Sequence, residues 1–377
     1  MIKMLKKVTV LLLMVIITAG CADTPGDQNE TGIVSGARES LIGTESDISD
    51  VSQQEELPDN SWKFDTPENR GANGELFEQL HKQLAGLDIN AFVTVKDGYI
   101  IDEYYKNEFD ENSVFRYNSC TKGVSAALIG IAVEQGYIEN IDVPLTKYFP
   151  QAAEAEDKRK QKITIRHLLE HSSGVRWPEY SSDMFRRLRD SKNWVEFFWE
   201  QPMEAAPGEV FAYNTGGSHL LTVIIQKATG KTAYDFAREN IFTHIGMDSV
   251  EWRTDPQGYT DGGNGIEMTA RDAARFGQLH LDSGQWRGTR IIPKKWVRDT
   301  VKPLAKAQPN TSKYGYQWWI KPLGKTKKYD AYYSWGYAGQ YIIVVPELNL
   351  VTAANARLPD NQTAPLDYFT NYVLEAF

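Results

Sequence analysis

Strand-forming patterns crowd the two ends of the ordered part of this chain and leave a long helical stretch between them, which narrows the folds open to it. Toward the start, Ala91–Val95 turns through Lys96-Asp97-Gly98 into Tyr99–Tyr105, two strands joined by an Asp-Gly turn signal. Toward the end, Tyr314–Ile320, Tyr332–Trp335, Tyr341–Val345 and Leu350–Ala354 read as antiparallel strands before a last helix near Asp367–Ala376. Between them lie helical patterns at Cys120–Gln135, closed by Gly136, at Ile165–Glu170, at Leu220–Ala228 and at Ala270–His280, the last opened by Thr269-x-x-Asp272. A further amphipathic helix is expected over Glu75–Leu84. Sheet segments so far apart meet most simply in an α/β protein of the α+β type. Its antiparallel sheet is built from both termini, flanked by helices, with a mostly helical region inserted and a cleft between the layers.

Charge is distributed unevenly. Residues 1–21 carry Lys3, Lys6 and Lys7 and no acid, and Val8–Ile17 is apolar but shorter than the roughly 20 residues a membrane-spanning helix needs. Residues 1–20 therefore read as a signal peptide. Thr18-Ala19-Gly20-Cys21 is similar to a bacterial lipoprotein processing site, so cleavage before Cys21 and lipid on its sulfur are expected. Residues 21–60 carry ten acids against Arg38 and few aliphatics, the composition of a solvated, disordered tether. The expected result is an extracytoplasmic protein, lipid-anchored to the membrane, with its folded domain at 61–377. That domain is close to neutral and lacks the basic footprint of a nucleic-acid binder. Cys120 is its only cysteine, so no disulfide closes within it.

Ser119 begins the long apolar helix, and Lys122 follows one turn later on the same face. A serine hydroxyl needs a base to become a nucleophile, and a desolvated lysine is disfavoured as ammonium. A chain of this length holds about one Ser-x-x-Lys by chance, so the pair needs support. Tyr213-Asn214, on a turn ahead of the next apolar helix, supplies a phenol that could exchange a proton with Ser119.

Four stretches in order, YNSCTKGVSAALIGIAVEQGYIENIDVPLTKYFP, ITIRHLLEHSSGV, PGEVFAYNTGGSHLL and EMTARDAARFGQLHLDSGQW, resemble the serine β-lactamase-like hydrolases over about residues 70–377. That group spans class C β-lactamases, D-Ala-D-Ala carboxypeptidases, esterases and nylon-oligomer hydrolases. The resemblance implies that Ser119 forms the acyl-enzyme, Lys122 activates it and Tyr213 is general base and acid. It maps the substrate-edge strand onto Ser334-Trp335-Gly336, with the second oxyanion N–H from Tyr337. The family's Tyr-x-Asn asparagine falls on Asn214 or Thr215. Ser334 replaces a cationic or imidazole side chain, a loss of about 1.5–3 kcal/mol of charge-assisted binding to a substrate carboxylate. Weak turnover of β-lactams and D,D-peptides is expected, and better turnover of small uncharged esters or amides, without metal or organic cofactor. The alternative is a penicillin-binding cell-wall sensor or D,D-peptidase-like protein acylated without efficient turnover; a third reading is a binding module without chemistry.

Other motifs carry less. His167-x-x-Glu170-His171 matches a zinc-peptidase spacing, but its helix ends at once and no third ligand is indicated. Gly230-Lys231-Thr232 and Gly324-Lys325-Thr326 lack the upstream glycine of a phosphate loop. Cys120, adjacent to Ser119 on the helix, points elsewhere and reads as a buried, inert thiol. Trp177, Tyr180, Trp194, Trp252, Trp335 and Tyr337 are candidate pocket walls, Trp335 and Tyr337 foremost because they flank the substrate-edge strand.

Overall fold

The computed structural model describes residues 59–304 and 312–377, so the expected signal peptide, Cys21 and nearly all of the tether lie outside the described residues. Eight strands make the main sheet: β1 (Lys63–Phe64), β2 (Ile89–Lys96), β3 (Tyr99–Tyr105), β4 (Lys313–Tyr314), β5 (Trp319–Ile320), β6 (Tyr332–Gly336), β7 (Gln340–Val345) and β8 (Leu350–Ala356). Their spatial order is β1-β3-β2-β8-β7-β6-β5-β4, and every pairing is antiparallel except β1 with β3. The two ends of the domain meet where β2 pairs β8, Lys96 opposite Leu350 and Phe92 opposite Ala354. Residues 89–95 of β2 and all of β8 are buried, as expected of central strands covered on both faces.

Four helices organise the layers: α1 (Gly74–Leu84), α2 (Thr121–Glu134), α3 (Thr215–Thr229) and α4 (Ala270–Leu281). Asn73 caps α1, its side chain accepting from the Glu75 N–H, and Phe77, Leu80 and Leu84 face a core shared with the C-terminal helical segment. On the other face, α4 lies against β8, β7 and β2 and encloses the larger core with α2 and α3. Residues 121–132 of α2 are buried without exception, which is why the segment reads as apolar all round. Gly130 is there for packing, since a Cβ at that position would stand 2.4 Å from the Trp296 ring.

The expected α+β architecture is the one observed, with two local corrections. Tyr314–Ile320 is a hairpin, β4 and β5, rather than one strand. Gly315 approaches the Thr300 carbonyl too closely for any side chain, and Gln317 takes a left-handed φ of 64°. The Gln317 amide donates to the Leu168 and Leu169 carbonyls at 3.0 and 2.9 Å, so tertiary partners hold the turn. The helix expected at Leu220 begins at Thr215, because the Asn214 side chain accepts from the Gly217 N–H at 2.7 Å and caps it. Among the described residues no helix is long and apolar enough to cross a membrane.

Candidate active site

Ser119 sits in the single 3-10 turn Asn118–Cys120 that feeds α2. Asn118 adopts a left-handed φ of 44°, and its side-chain amide donates to the Tyr337 carbonyl at 3.0 Å and to Gln340 Oε1 at 2.7 Å. Those two bonds tie the turn to the β6–β7 hairpin and present the serine beside it. The Ser119 hydroxyl accepts from Lys122 Nζ at 2.9 Å and donates to Asn264 Oδ1 at 2.9 Å.

Lys122 is wholly buried, and the loss of water pulls its amine down to about 8, although the Glu179 and Asp261 carboxylates oppose the shift. Its second partner is the Gly263 carbonyl at 2.8 Å. That carbonyl comes from the turn Asp261-Gly262-Gly263-Asn264, which Asp261 Oδ1 closes by accepting from the N–H groups of Gly263 and Asn264. Ser125 donates to the Gly262 carbonyl at 2.9 Å. A Cβ on Gly262 would stand 2.7 Å from the Ser218 carbonyl, so two glycines let the loop pass between α2 and α3.

Tyr213 places its ring 5.0 Å from Lys122 Nζ and its hydroxyl in hydrogen-bond contact with Ser119. Burial holds its phenol well above 10, so it is uncharged at neutral pH. Behind it, the Asn214 N–H donates to His171 Nδ1 at 3.1 Å. The His171 proton therefore rests on Nε2, which donates to the Tyr314 hydroxyl at 3.1 Å, and Tyr314 contacts Tyr213 in turn. Burial depresses His171 well below 6.5 and keeps it neutral.

The remaining expected residues divide. Trp335 lines a cavity of about 540 Å³ together with Trp177, Glu179, Tyr180, Phe211 and Trp319. Ser334 points the other way along β6: it is buried, with the Cys120 carbonyl 3.5 Å from its hydroxyl, and so lies off the cavity where a substrate contact was expected. Gly336 is required by the Tyr117 carbonyl, 2.5 Å from where a Cβ would stand. Tyr337 is exposed in the hairpin loop, and no hydrogen bond of that loop uses its N–H. Neither Asn214 nor Thr215 lines the cavity. Asn214 caps α3, and Thr215 donates through its N–H, at 2.9 Å, and its hydroxyl to the Glu179 carboxylate. Trp252 belongs to the core and Trp194 packs, partly buried, against it. Cys120 is buried, its thiol pushed up to about 12 by the loss of water. His167 and His171 serve different partners, His167 Nδ1 accepting from the Thr164 N–H.

Asn264, Glu179 and the His171–Tyr314 pair were missed by sequence reasoning. An Asp-Gly-Gly-Asn turn is a visible signal of a tight loop, but nothing local says what its asparagine faces.

Residues 75–370 match the Beta-lactamase family. The 6-aminohexanoate-dimer hydrolase of Paenarthrobacter ureafaciens is 23% identical over 262 residues, 64% of this chain and 66% of that protein. A Bacillus anthracis structure provisionally described as a 6-aminohexanoate-dimer hydrolase superposes with a TM-score of 0.69 at 24% identity, covering 78% of this chain and 80% of that one. A D-stereospecific amidohydrolase from Streptomyces gives 0.64 at 15% identity, over 79% of this chain and 98% of its own. At such identities the two structures speak for the fold alone.

Proposed function

We propose, since this chain belongs to the Beta-lactamase family of hydrolases, that it cleaves esters or amides of a small substrate through an acyl-enzyme on Ser119. One observation carries the reading: the Ser119 oxygen lies 2.9 Å from a fully buried amine whose proton affinity is lowered to about 8. At pH 7 about a tenth of such an amine is uncharged and able to accept a proton. Ser119 Oγ adds to the carbonyl carbon while its proton passes to Lys122 Nζ, and the N–H groups of Ser119 and Tyr337 receive the oxyanion. As the bond to the leaving group breaks, Tyr213 protonates the departing atom and recovers a proton from Lys122. Water then retraces the route and releases the acid. Lys122 rather than Tyr213 acts as the base, because burial raises the phenol out of reach and lowers the amine into range.

The test follows nitrophenol release from a short-chain nitrophenyl ester by wild type and Ser119→Ala at equal concentration. Steady turnover lost in the variant is expected. A stoichiometric burst without turnover would favour a protein that is acylated and stays so, and equal rates would sink the hydrolase reading. The reading also keeps the domain outside the cytoplasm, on lipid carried by Cys21. Cells fed labelled palmitate should label the wild-type chain and leave Cys21→Ala unlabelled.

A further inference from the structure

The cavity beside Tyr213 combines one acid with many ring faces. Glu179 is the only carboxylate among its described lining residues, and no basic side chain accompanies it there. Only 9% of Glu179 is exposed, and each carboxylate oxygen takes a single hydrogen bond, both from Thr215. A carboxylate has about four acceptor sites, so half the capacity of this cavity-lining group is unspent. Trp319 stacks on Tyr213 with centroids 5.8 Å apart and meets Trp335 at 6.0 Å, and Trp177, Tyr180 and Phe211 add further ring faces to the lining.

Three kinds of substrate group can be compared on these walls. An anion would meet Glu179 and the negative faces of the rings. A neutral apolar group would strip water from Glu179 and return nothing to it. A cation gains from both the carboxylate and the ring quadrupoles. We propose that this cavity binds an alkylammonium group of the substrate, primary or quaternary, between Glu179 and the aromatic faces, in place of the uncharged group expected from the sequence. The inference rests on the Ser119 hydrolase reading, since the ammonium is to be part of the molecule that is cleaved. It has a mechanistic consequence. Glu179 is among the charges that favour the Lys122 ammonium, and a substrate cation that occupies Glu179 weakens that support and frees the amine to act as base.

Two isosteric pairs test it in the full-length protein: acetylcholine against the ester whose trimethylammonium is replaced by tert-butyl, and the nitrophenyl ester of trimethylammoniobutyrate against its tert-butyl counterpart. The expected result is a preference in kcat/KM of roughly tenfold or more for the cationic member of at least one pair. The ratio should fall toward one in Glu179→Gln, whatever the absolute rate. The acid limb of the kcat profile should also lie at lower pH for the cationic ester than for its neutral twin. Ratios at or below one in both pairs, with Ser119-dependent hydrolysis of the neutral esters intact, overturn the proposal and leave the hydrolase reading standing. If none of the four esters shows Ser119-dependent turnover, the hydrolase reading falls, and binding decides the cavity. Tetramethylammonium should then quench the tryptophan fluorescence of Ser119→Ala saturably, and less tightly in Ser119→Ala/Glu179→Gln. Absence of that quenching overturns the cation site as well.

Discussion

A buried amine and a buried phenol answer the same loss of water in opposite senses: the amine gives up its proton more easily and the phenol less. Lys122 and Tyr213 are that pair, one lowered to about 8 and the other held well above 10. In the proposed mechanism the uncharged amine is the active form, so kcat/KM should rise with pH along a limb with an apparent pKa near 8 and level off above it. A profile flat from pH 6 to 9 would count against Lys122 as base. Tyr314 is expected to matter through Tyr213. Its hydroxyl accepts from His171, whose tautomer the Asn214 N–H sets, and this leaves the Tyr314 proton to be aimed at Tyr213. Tyr314→Phe removes both bonds of that hydroxyl, and only the neutral one to Tyr213 touches the reacting groups, so kcat should drop about 2- to 12-fold with KM little changed. His171→Ala leaves the buried Asn214 N–H without its acceptor and should lower stability by about 1–3 kcal/mol in urea unfolding. The Ser119–Lys122 pairing was legible because a one-turn spacing is a local fact. The partners of Tyr213 were not, since His171, Tyr213 and Tyr314 come together only across three separate segments.

Helix α2 and the Asp261–Asn264 loop hold the site at the next scale. In an exposed helix Gly→Ala is favourable by up to about 1 kcal/mol. At Gly130 the Trp296 ring occupies the space, and Gly130→Ala should instead destabilise by about 1–3 kcal/mol, read as a lower urea midpoint. Gly262→Ala should act on chemistry as well as stability. The Ser218 carbonyl is backbone and gives way little, so the loop must shift and carry the Gly263 carbonyl off Lys122 and Asn264 off Ser119. A loss of more than tenfold in kcat is expected, of the order a displacement near 1 Å produces. Helices α1 to α4 were readable to within five residues from their apolar runs and caps, whereas the helices at Ser182–Asp190 and Trp194–Glu200 were not anticipated. The β4–β5 reversal was hidden because four of the seven residues in Tyr314–Ile320 are aromatic and strand-forming, and its turn depends on carbonyls that Leu168 and Leu169 supply from elsewhere.

For the whole molecule, β2 and β3 depend on β8 for the pairing that closes the sheet. Residues 61–377 contain every described strand and every described site residue, so that fragment should turn over as the full chain does. Ser334 turns toward α2, and the described cavity lining carries no cation. Penicillin hydrolysis by the purified protein should therefore stay far below its turnover of small esters, and efficient penicillin turnover would refute that expectation.

By itself the sequence determined the fold class and the one-turn pairing of Ser119 with Lys122, because periodicity, turn signals and helical spacing are properties of neighbours along the chain. Only the tertiary structure decided which polar groups surround that serine and what lines the cavity. Asn264, Glu179, Tyr314 and Trp319 reach the site from loops and strands far apart in sequence, and which side of β6 faces the cavity depends on a two-residue alternation whose phase is set by packing. The opposite shifts in proton affinity of Lys122 and Tyr213 follow from burial, which no local stretch of sequence specifies.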